Sequence, residues 1–249
     1  MEPVSAATSV NRTKSLADAM DSVAVAARGN VSVAVLDLGS GESASYGDGS
    51  FDTASIVKVN ILAALLLQAQ DADRRLTAQE RARATTMIED SDNAAATALW
   101  ESIGRADGLD AANARLGLTA TEGGDGALWG LTQTTAEDQL TLLRQIFGTD
   151  EESQLSEASR AYIQGLMGNI AAGQDWGVSV AGSAWALKNG WLPRTATGLW
   201  DINSVGRVTV AGEDYLVAVV SNGNADMKSG ITVVEAAAQA AVRIMAVRG

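Results

Sequence analysis

The sequence predicts an α/β protein in which helices from both ends of the chain pack on a single sheet of five strands. Three observations support this prediction. A helical pattern and two strand-like segments open the chain, three strand-like segments and a helix close it, and the region between them is helical. Because both ends then share one layer, we predict an α/β subdomain from residues 1–50 and 183–249 and an all-α subdomain from 51–182.

The opening segments show both kinds of periodicity. Residues 15–30 have helical spacing, and Gly29–Asn30 provides a stop signal. The apolar anchors of this helix are Leu16, Met20, Val23 and Val25. Residues 31–50 alternate and break at Gly39–Gly41, which predicts two strands joined by a tight turn. The stretch "GSGESA" in this turn imitates a dinucleotide-binding motif, but the helix that such a motif needs does not follow.

The middle of the chain, roughly residues 52–170, is predicted to be helical. Residues 77–104 favour two helices with "EDSDN" near their junction, and residues 156–170 favour another. The helix predicted at 134–148 begins with Thr135, followed three residues later by Asp138, as in a capping box.

Strand patterns return in the last third of the chain. They cover residues 183–192, 199–210 and 213–223, and a final helix is predicted at 230–249. No internal repeat or low-complexity segment interrupts the pattern.

Composition excludes several classes of function. The net charge of −12 disfavours binding to nucleic acid and to anionic membranes, which both need clustered Lys and Arg. The chain has no Cys and no His, so thiol catalysis, thiolate metal sites and Ser-His-Asp schemes are all excluded. We therefore expect no metal and no cofactor, and acid–base chemistry must use Lys, Asp, Glu or Tyr.

No targeting or membrane-spanning segment is visible in the sequence. The first fifteen residues lack the apolar core of a secretion signal, which is typical of a cytosolic start or of a chain whose signal has been removed. The longest apolar run, 61–67, is too short to cross a bilayer.

The segment "FDTASIVKVNILAALLLQ" (51–68) places Ser55 three residues before Lys58, at the predicted start of an apolar helix. Positions i and i+3 share a helix face, so the hydroxyl and the amine are expected to lie side by side. Burial among apolar neighbours and a nearby second cation would lower the pKa of Lys58, which could then act as a base without histidine. A capping serine beside a solvent-reaching lysine is the simpler explanation of this pair taken alone.

Two further motifs follow in order. "SDN" stands at Ser91–Asn93, 36 residues after Ser55, and "KNG" stands at Lys188–Gly190 in a predicted strand. Together with Ser-x-x-Lys they form the motif set of class A β-lactamases and penicillin-binding proteins. The chain resembles this family over nearly its whole length, and "QDWGV" (174–178) is similar to the class A branch. The resemblance implies a β-lactamase/transpeptidase-like fold with an antiparallel five-stranded sheet.

The resemblance also implies catalytic roles. Ser55 would be the acylated nucleophile and Lys58 its general base. Ser91 would relay a proton to the leaving nitrogen. Lys188 would attract the substrate carboxylate and help to lower the pKa of Lys58.

Substrate-binding roles follow from the same resemblance. Asn93 would hold the amide side chain of the substrate, and Asn189 would donate to its carboxylate. Gly190 would let the substrate lie along the strand. The backbone N–H groups of Trp191 and Ser55 would form the oxyanion hole.

Two features depart from the family pattern. The middle residue of the third motif is Asn189, where the family usually has Thr or Ser. The Glu-x-x-Leu-Asn loop, whose Glu activates the deacylating water in class A enzymes, has no counterpart in the shortened segment 116–138. Glu122 and Asp125 are the carboxylates nearest to its place, and neither is assigned as a base. We therefore expect acylation of Ser55 with slow deacylation.

Three functions stay open at this point. The first is a serine hydrolase acting on a β-lactam or on a D-alanyl-D-alanine-like peptide. The second is a non-catalytic protein of the same fold that binds an antibiotic, a cell-wall fragment or a protein partner, and the third is a glutaminase with the Ser-x-x-Lys fold. The resemblance implies a location in the cell envelope or outside the cell, and we expect a monomer.

Overall fold

The structure is a computed structural model that describes residues 4–27 and 29–247, without the side chains of 4–11, 25 and 26. The helices are α1 (Val4–Ala27), α2 (Val57–Asp71), α3 (Ala78–Glu89), α4 (Asn93–Ile103), α5 (Arg105–Leu116), α6 (Ala136–Phe147), α7 (Glu157–Met167) and α8 (Met227–Ala246). The strands are β1 (Asn30–Asp37), β2 (Ser43–Tyr46), β3 (Phe51–Asp52), β4 (Gln133–Thr134), β5 (Ala184–Pro193), β6 (Trp200–Val210) and β7 (Glu213–Asn224).

The large sheet has the strand order β2-β1-β7-β6-β5, and every neighbouring pair is antiparallel. The predicted five-stranded antiparallel sheet is therefore confirmed. The predicted tight turn joins β1 to β2, and Gly41 within it has a φ of +73°, a conformation that favours glycine. "GSGESA" is thus a hairpin turn, as predicted.

Helices from both termini pack on this sheet. Helix α8 contacts β1, β6 and β7, and α1 contacts α8 and β2. Helix α6 also contacts β1, β6 and β7. Strands β1 and β7 bury long runs of consecutive residues, which requires cover on both faces of the sheet. Helix α1 begins well before the predicted residue 15; the Val25 side chain lies outside the described residues.

The central helix α2 is buried nearly all round, as an apolar helix in a protein core should be. The two helices predicted in 77–104 are α3 and α4, and "EDSDN" lies at their junction. The Thr135 side chain caps α6 by accepting a hydrogen bond from the N–H of Asp138, which confirms the predicted start. In the part of the chain that the structure describes, no helix combines the length and the apolar character needed to cross a membrane.

Three of these helices and strands were not predicted. Helix α5 is separated from its neighbours by left-handed Gly104 and Gly117, and its polar sequence gave no clear apolar stripe. Strands β3 and β4 pair over only two residues each, which is too short to show a periodicity. Their pairing fixes the chain just before Ser55. The division into subdomains 1–50 plus 183–249 and 51–182 stays a prediction.

Candidate active site

Ser55 lies in a single 3-10 turn, Ala54–Ile56, that leads directly into α2. Ala54 has a φ of +48°, a strained conformation for a residue other than glycine. The side-chain amide of Asn203 on β6 donates to the backbone carbonyl of Thr53 at 2.9 Å and so anchors the turn to the sheet. The hydroxyl of Ser55 is thus presented at the positive end of the α2 dipole by a constrained backbone.

The amine of Lys58 lies at the centre of a cluster of oxygen atoms. Its Nζ is 2.9 Å from Ser55 Oγ and 3.0 Å from Ser91 Oγ. It also donates to the Ser91 carbonyl at 2.7 Å and to Asn93 Oδ1 at 2.9 Å. The structure therefore brings the first two motifs together around one nitrogen.

Burial sets the proton affinity of this amine. Lys58 is fully buried, and desolvation lowers its pKa from 10.5 to about 7, although the negative charge of Asp92 opposes the shift. The ring of Trp129 covers the amine, with its centroid 4.9 Å from Nζ. A substantial fraction of Lys58 is therefore neutral at neutral pH, as a general base must be.

Ser91 connects this amine to the third motif. It has a φ of +57°, and this left-handed backbone lets both its carbonyl and its hydroxyl reach Lys58. Lys188 Nζ lies 3.1 Å from Ser91 Oγ and donates to the Asn189 carbonyl at 3.0 Å. Burial, and to a smaller extent the charge of Lys58, lowers the pKa of Lys188 from 10.5 to about 7.

The hydrogen-bonding capacity of a neutral amine fits this arrangement. Neutral Lys58 has two N–H donors and one lone pair. The Ser91 carbonyl and Asn93 Oδ1 are pure acceptors and take the two N–H groups. The lone pair is then left for a hydroxyl proton, from Ser55 or from Ser91. A path for protons thus runs from Ser55 through Lys58 to Ser91.

Strand β5 passes Ser55 at very close range. A Cβ atom added to Gly190 would lie 2.7 Å from the Thr53 carbonyl oxygen and 2.9 Å from the Ser55 nitrogen. Only glycine allows this approach. The next residue of the strand, Trp191, lines the same cleft as Ser55. An oxyanion hole formed by the backbone N–H groups of Ser55 and Trp191 stays a prediction.

Replacing Gly190 by alanine is expected to slow acylation of Ser55 at least tenfold and to lower the free energy of unfolding by roughly 1–3 kcal/mol. The new methyl group meets backbone atoms, so either β5 or the Thr53–Ile56 turn must move. Acylation is measured by mass spectrometry with a reactive penicillin, and stability by urea unfolding.

The matched control for this substitution is Gly165→Ala in α7. A Cβ at Gly165 meets no atom within 4 Å, so this variant should be as stable as wild type or slightly more stable. Acylation of Gly190→Ala at the wild-type rate would contradict the close approach of β5.

Asn189 does not present its donors to the cleft. Its side-chain nitrogen donates to the backbone carbonyls of Gln174 at 2.7 Å and Trp176 at 2.9 Å, and the residue is buried. Both N–H groups are thereby used, so the expected donation from Asn189 to a substrate carboxylate is not available in this arrangement. Asn189 instead ties the 174–176 segment to β5, where Trp176 makes an edge-to-face contact with Trp191.

The cleft beside Ser55 has a volume of about 600 Å³. It is lined by segments 127–131 and 191–196 together with Ala54, Ser55, Asn93 and Thr97. None of these described lining residues is a carboxylate. Glu122 lines a separate depression with Asp110, and Asp125 is exposed at the surface. The indole of Trp129, which donates to Thr97 Oγ1 at 3.1 Å, fills the side of the cleft next to Lys58.

Sequence reasoning missed two features of the cleft. Trp129 lies in a Gly-rich segment with no interpretable periodicity, so nothing indicated that its ring would cover Lys58. Arg194 follows β5 and forms ion pairs with Asp52, which is distant in the sequence, and with Asp201, which is near in the sequence. Only its position six residues after Lys188, just past the predicted strand, could have drawn attention to it. Within the described residues, no group of three Asp or Glu side chains is placed to hold a metal ion.

The comparison with protein families agrees with this site. The Beta-lactamase enzyme family matches residues 14–84 and 80–245, which is nearly the whole chain. The chain therefore belongs to the β-lactamase enzyme family. A comparison with curated proteins finds no match at the sequence level.

Several solved structures share the fold. A representative class A β-lactamase from Bacteroides cellulosilyticus has 17% identity and a TM-score of 0.80, over 94% of this chain and 98% of that one. The TLA-1 extended-spectrum β-lactamase has 15% identity and a TM-score of 0.82, over 94% and 99%. A PBP-A variant, in an acyl-enzyme complex with penicillin G, has 19% identity and a TM-score of 0.77, over 94% and 96%. The TM-scores and coverages show a common fold, that of the class A β-lactamases.

Proposed function

We propose that the protein is a serine acyl hydrolase that opens a β-lactam, or cleaves a D-alanyl-D-alanine-like peptide, through an acyl-enzyme on Ser55. The observation that carries this proposal is the 2.9 Å contact between Ser55 Oγ and the buried amine of Lys58, whose pKa is lowered to about 7. Family membership and the shared fold support the same class of chemistry.

Acylation begins with neutral Lys58 taking the hydroxyl proton of Ser55 while Oγ attacks the substrate carbonyl carbon. The carbonyl becomes an oxyanion. When it re-forms, the carbon–nitrogen bond breaks and Ser91 gives its hydroxyl proton to the departing nitrogen. The Lys58 ammonium then returns a proton to Ser91 Oγ, 3.0 Å away. The net result is an ester on Ser55 and a protonated leaving group.

The rest of the cluster would bind and orient the substrate. The backbone N–H groups of Ser55 and Trp191 would hold the oxyanion, and each donor of this kind is worth roughly 10²–10³ in rate. Asn93 Oδ1 accepts a hydrogen bond from Lys58, so the side-chain nitrogen of Asn93 remains for the substrate amide carbonyl. Lys188 would attract the substrate carboxylate, a role that carries more weight because the donors of Asn189 are occupied.

Hydrolysis of the acyl-enzyme is the slow step of this proposal. Water must lose a proton as it attacks the ester, and the described residues that line the cleft include no carboxylate to accept it. Trp129 fills the space next to Lys58, which further limits the access of water. The acyl-enzyme should therefore accumulate during turnover.

The ligand and location follow from the same chemistry. We propose a small β-lactam or a cell-wall peptide as the partner, and a monomeric protein in the cell envelope or outside the cell, where these compounds are found. The acidic surface, with its net charge of −12, suits neither nucleic acid nor anionic lipid.

Intact-mass spectrometry with a reactive penicillin tests the proposal. Ring opening releases no fragment, so wild-type protein should gain the full mass of the penicillin. Because acylation should outrun hydrolysis, the adduct should remain the main species after excess drug is removed. Tandem mass spectrometry should locate it on Ser55.

The matched control is Ser55→Ala, which should form no adduct. Wild-type protein that forms no adduct would reject the acyl-enzyme mechanism. Rapid, complete turnover of a chromogenic cephalosporin would retain the mechanism but reject slow deacylation.

A non-catalytic binding protein on the same fold is the second candidate. The occupied donors of Asn189 and the cleft without a lining carboxylate favour it. A Ser55→Ala variant that binds the ligand as tightly as wild type, together with a wild type that forms no adduct, would support this candidate.

A further inference from the structure

Residues 171–176 form a strap that connects the "SDN" motif to the "KNG" motif. At the "SDN" end, the backbone N–H of Ala171 donates to the Glu89 carbonyl at 2.9 Å. The side-chain amide of Gln174 donates to the next carbonyl, that of Asp90, at 3.1 Å. Asp90 directly precedes the motif, so both bonds hold the backbone that leads into it.

The other end of the strap is bonded to strand β5. The side-chain amide of Asn189 donates to the strap carbonyls of Gln174 and Trp176. These two bonds also fix which way the amide points, because a reversed amide would set its oxygen against two carbonyl oxygens. Since Asn189 is the middle residue of the "KNG" motif, the strap is bonded to that motif directly.

Gln174 completes a ring of contacts that begins and ends at Ser91. Its side chain bonds to the backbone just before Ser91, and its own carbonyl accepts from Asn189. Asn189 is covalently joined to Lys188, whose Nζ lies 3.1 Å from Ser91 Oγ. A change in the Gln174 side chain should therefore alter how the Ser91 hydroxyl meets the Lys188 amine.

The backbone of Ser91 needs such support. Its φ of +57° is a conformation that a residue other than glycine keeps only where the surrounding structure enforces it. Helix α3 ends at Glu89 and α4 begins at Asn93, so Ser91 lies in the short junction between them. The strap holds this junction on the α3 side, where the last carbonyls of a helix lack partners within the helix.

The strap acts from outside the cleft. None of its residues is among the described residues that line the cleft beside Ser55. Gln174 Oε1 and Asn189 Oδ1 are both buried without a hydrogen-bond partner among the described residues, which is unfavourable for stability. The fold thus keeps two amides whose donors join the motifs although their acceptor oxygens are left unpaired.

We propose that Gln174 is a positioning residue for the acylation of Ser55. By tying the backbone before Ser91 to strand β5, it holds the Ser91 hydroxyl between the amines of Lys58 and Lys188, 3.0 and 3.1 Å from them. This inference rests on the proposed acyl-enzyme chemistry, in which Ser91 transfers a proton. It adds a residue that acts through Ser91 and lies outside the cleft.

Two side chains of similar length at position 174 test the inference. Gln174→Met offers no donor to the Asp90 carbonyl, whereas Gln174→Lys keeps N–H donors at a similar reach. Acylation by a reactive penicillin is followed by intact-mass spectrometry over a range of penicillin concentrations. Gln174→Met should lower the limiting acylation rate about tenfold and leave the half-saturating concentration nearly unchanged, because the strap does not line the cleft.

The lysine variant should recover most of the lost rate, because the bond to Asp90 is kept. Gln79→Met, the same change at an exposed position on α3, is the matched control and should acylate as wild type. Thermal unfolding of each variant verifies that it is folded.

A second background shows whether Gln174 acts through Ser91. Ser91→Ala removes the hydroxyl that the strap is proposed to position, and its slow acylation is followed over hours. Adding Gln174→Met to Ser91→Ala should cause no further loss, since two residues that act as one unit are not additive. A strap that merely supports the fold would instead lower the rate by the same factor in both backgrounds.

The outcomes separate the inference from the function on which it rests. Four results would overturn the role of Gln174 and leave the acyl-enzyme intact: a wild-type rate in Gln174→Met, a loss confined to the half-saturating concentration, no recovery in Gln174→Lys, or a further tenfold loss in the Ser91→Ala background. Wild-type protein that forms no adduct would reject the acyl-enzyme, and the inference with it.

Discussion

Replacing Lys58 by methionine is expected to slow the acylation of Ser55 by about 10²–10⁴-fold. Methionine is close to lysine in length and unbranched, so it fills the same buried space. It offers no lone pair that can take the hydroxyl proton of Ser55, 2.9 Å from Lys58 Nζ in the native protein. The rate of adduct formation with a reactive penicillin, followed by intact-mass spectrometry, measures the effect.

A second substitution separates base catalysis from simple charge. Lys58→Arg keeps a cation at this position but cannot provide a neutral base near pH 7, since the guanidinium holds its proton. It should therefore be as impaired as Lys58→Met. Lys228→Met, at an exposed position on α8, should acylate as wild type. Wild-type rates in both Lys58 variants would show that another group removes the proton.

The same Lys58→Met substitution is expected to stabilise the fold at pH 7 by about 2 kcal/mol. Lys58 is fully buried, and folding lowers its pKa from 10.5 to about 7. Such a shift corresponds to a destabilisation of at most about 5 kcal/mol. Lost hydrogen bonds to the Ser91 carbonyl and Asn93 offset part of the gain. Urea unfolding of both proteins at pH 7 measures the difference.

The stability difference between Lys58→Met and wild type should change with pH in a definite direction. Below about pH 7 the amine is protonated in both the folded and the unfolded chain, so its full cost is present. Between about 7 and 10.5 the unfolded chain progressively loses the proton and the cost shrinks. The advantage of Lys58→Met over wild type should therefore be largest at pH 7 and below, and smaller at pH 9.5. Lys228→Met should show no such advantage, and a Lys58→Met protein less stable than wild type at pH 7 would contradict the account.

A gain in stability on removing a catalytic group is what a site built for function predicts. The strained backbones of Ala54 and Ser91 can be explained in the same way. Ser91 is part of the proposed catalytic machinery, and Ala54 directly precedes Ser55. Two buried amines and two of the five described non-glycine residues with positive φ thus lie around the hydroxyl of Ser55.

Much of the fold could be predicted because its long elements carry clear periodicities. The alternation in β1 and the apolar run in β7 were long enough to predict strands, and the short distance from Ser55 to Lys58 followed from their i, i+3 spacing. Helix α5 and the two-residue strands β3 and β4 could not be predicted, because their stability comes from packing and pairing with distant segments.

The site was predictable to the extent that its residues form motifs. Ser55, Lys58, Ser91, Asn93 and Lys188 come together as the family resemblance implied, whereas their catalytic roles stay a prediction. The direction of the Asn189 side chain depends on backbone carbonyls of a segment about fifteen residues earlier, which no local pattern indicates. The same holds for Trp129 above Lys58, because a single aromatic residue in a Gly-rich segment has no spacing to interpret.

The dependence of the acylation rate on pH tests the central claim most directly, namely that neutral Lys58 removes the proton of Ser55. The pKa values of Lys58 and Lys188 are both lowered to about 7, so the rate should peak close to pH 7: below this pH Lys58 holds its proton, and above it Lys188 loses the charge that attracts the substrate. A rate that stays low through neutral pH and rises only near 10.5, the ordinary range of lysine, would contradict the account.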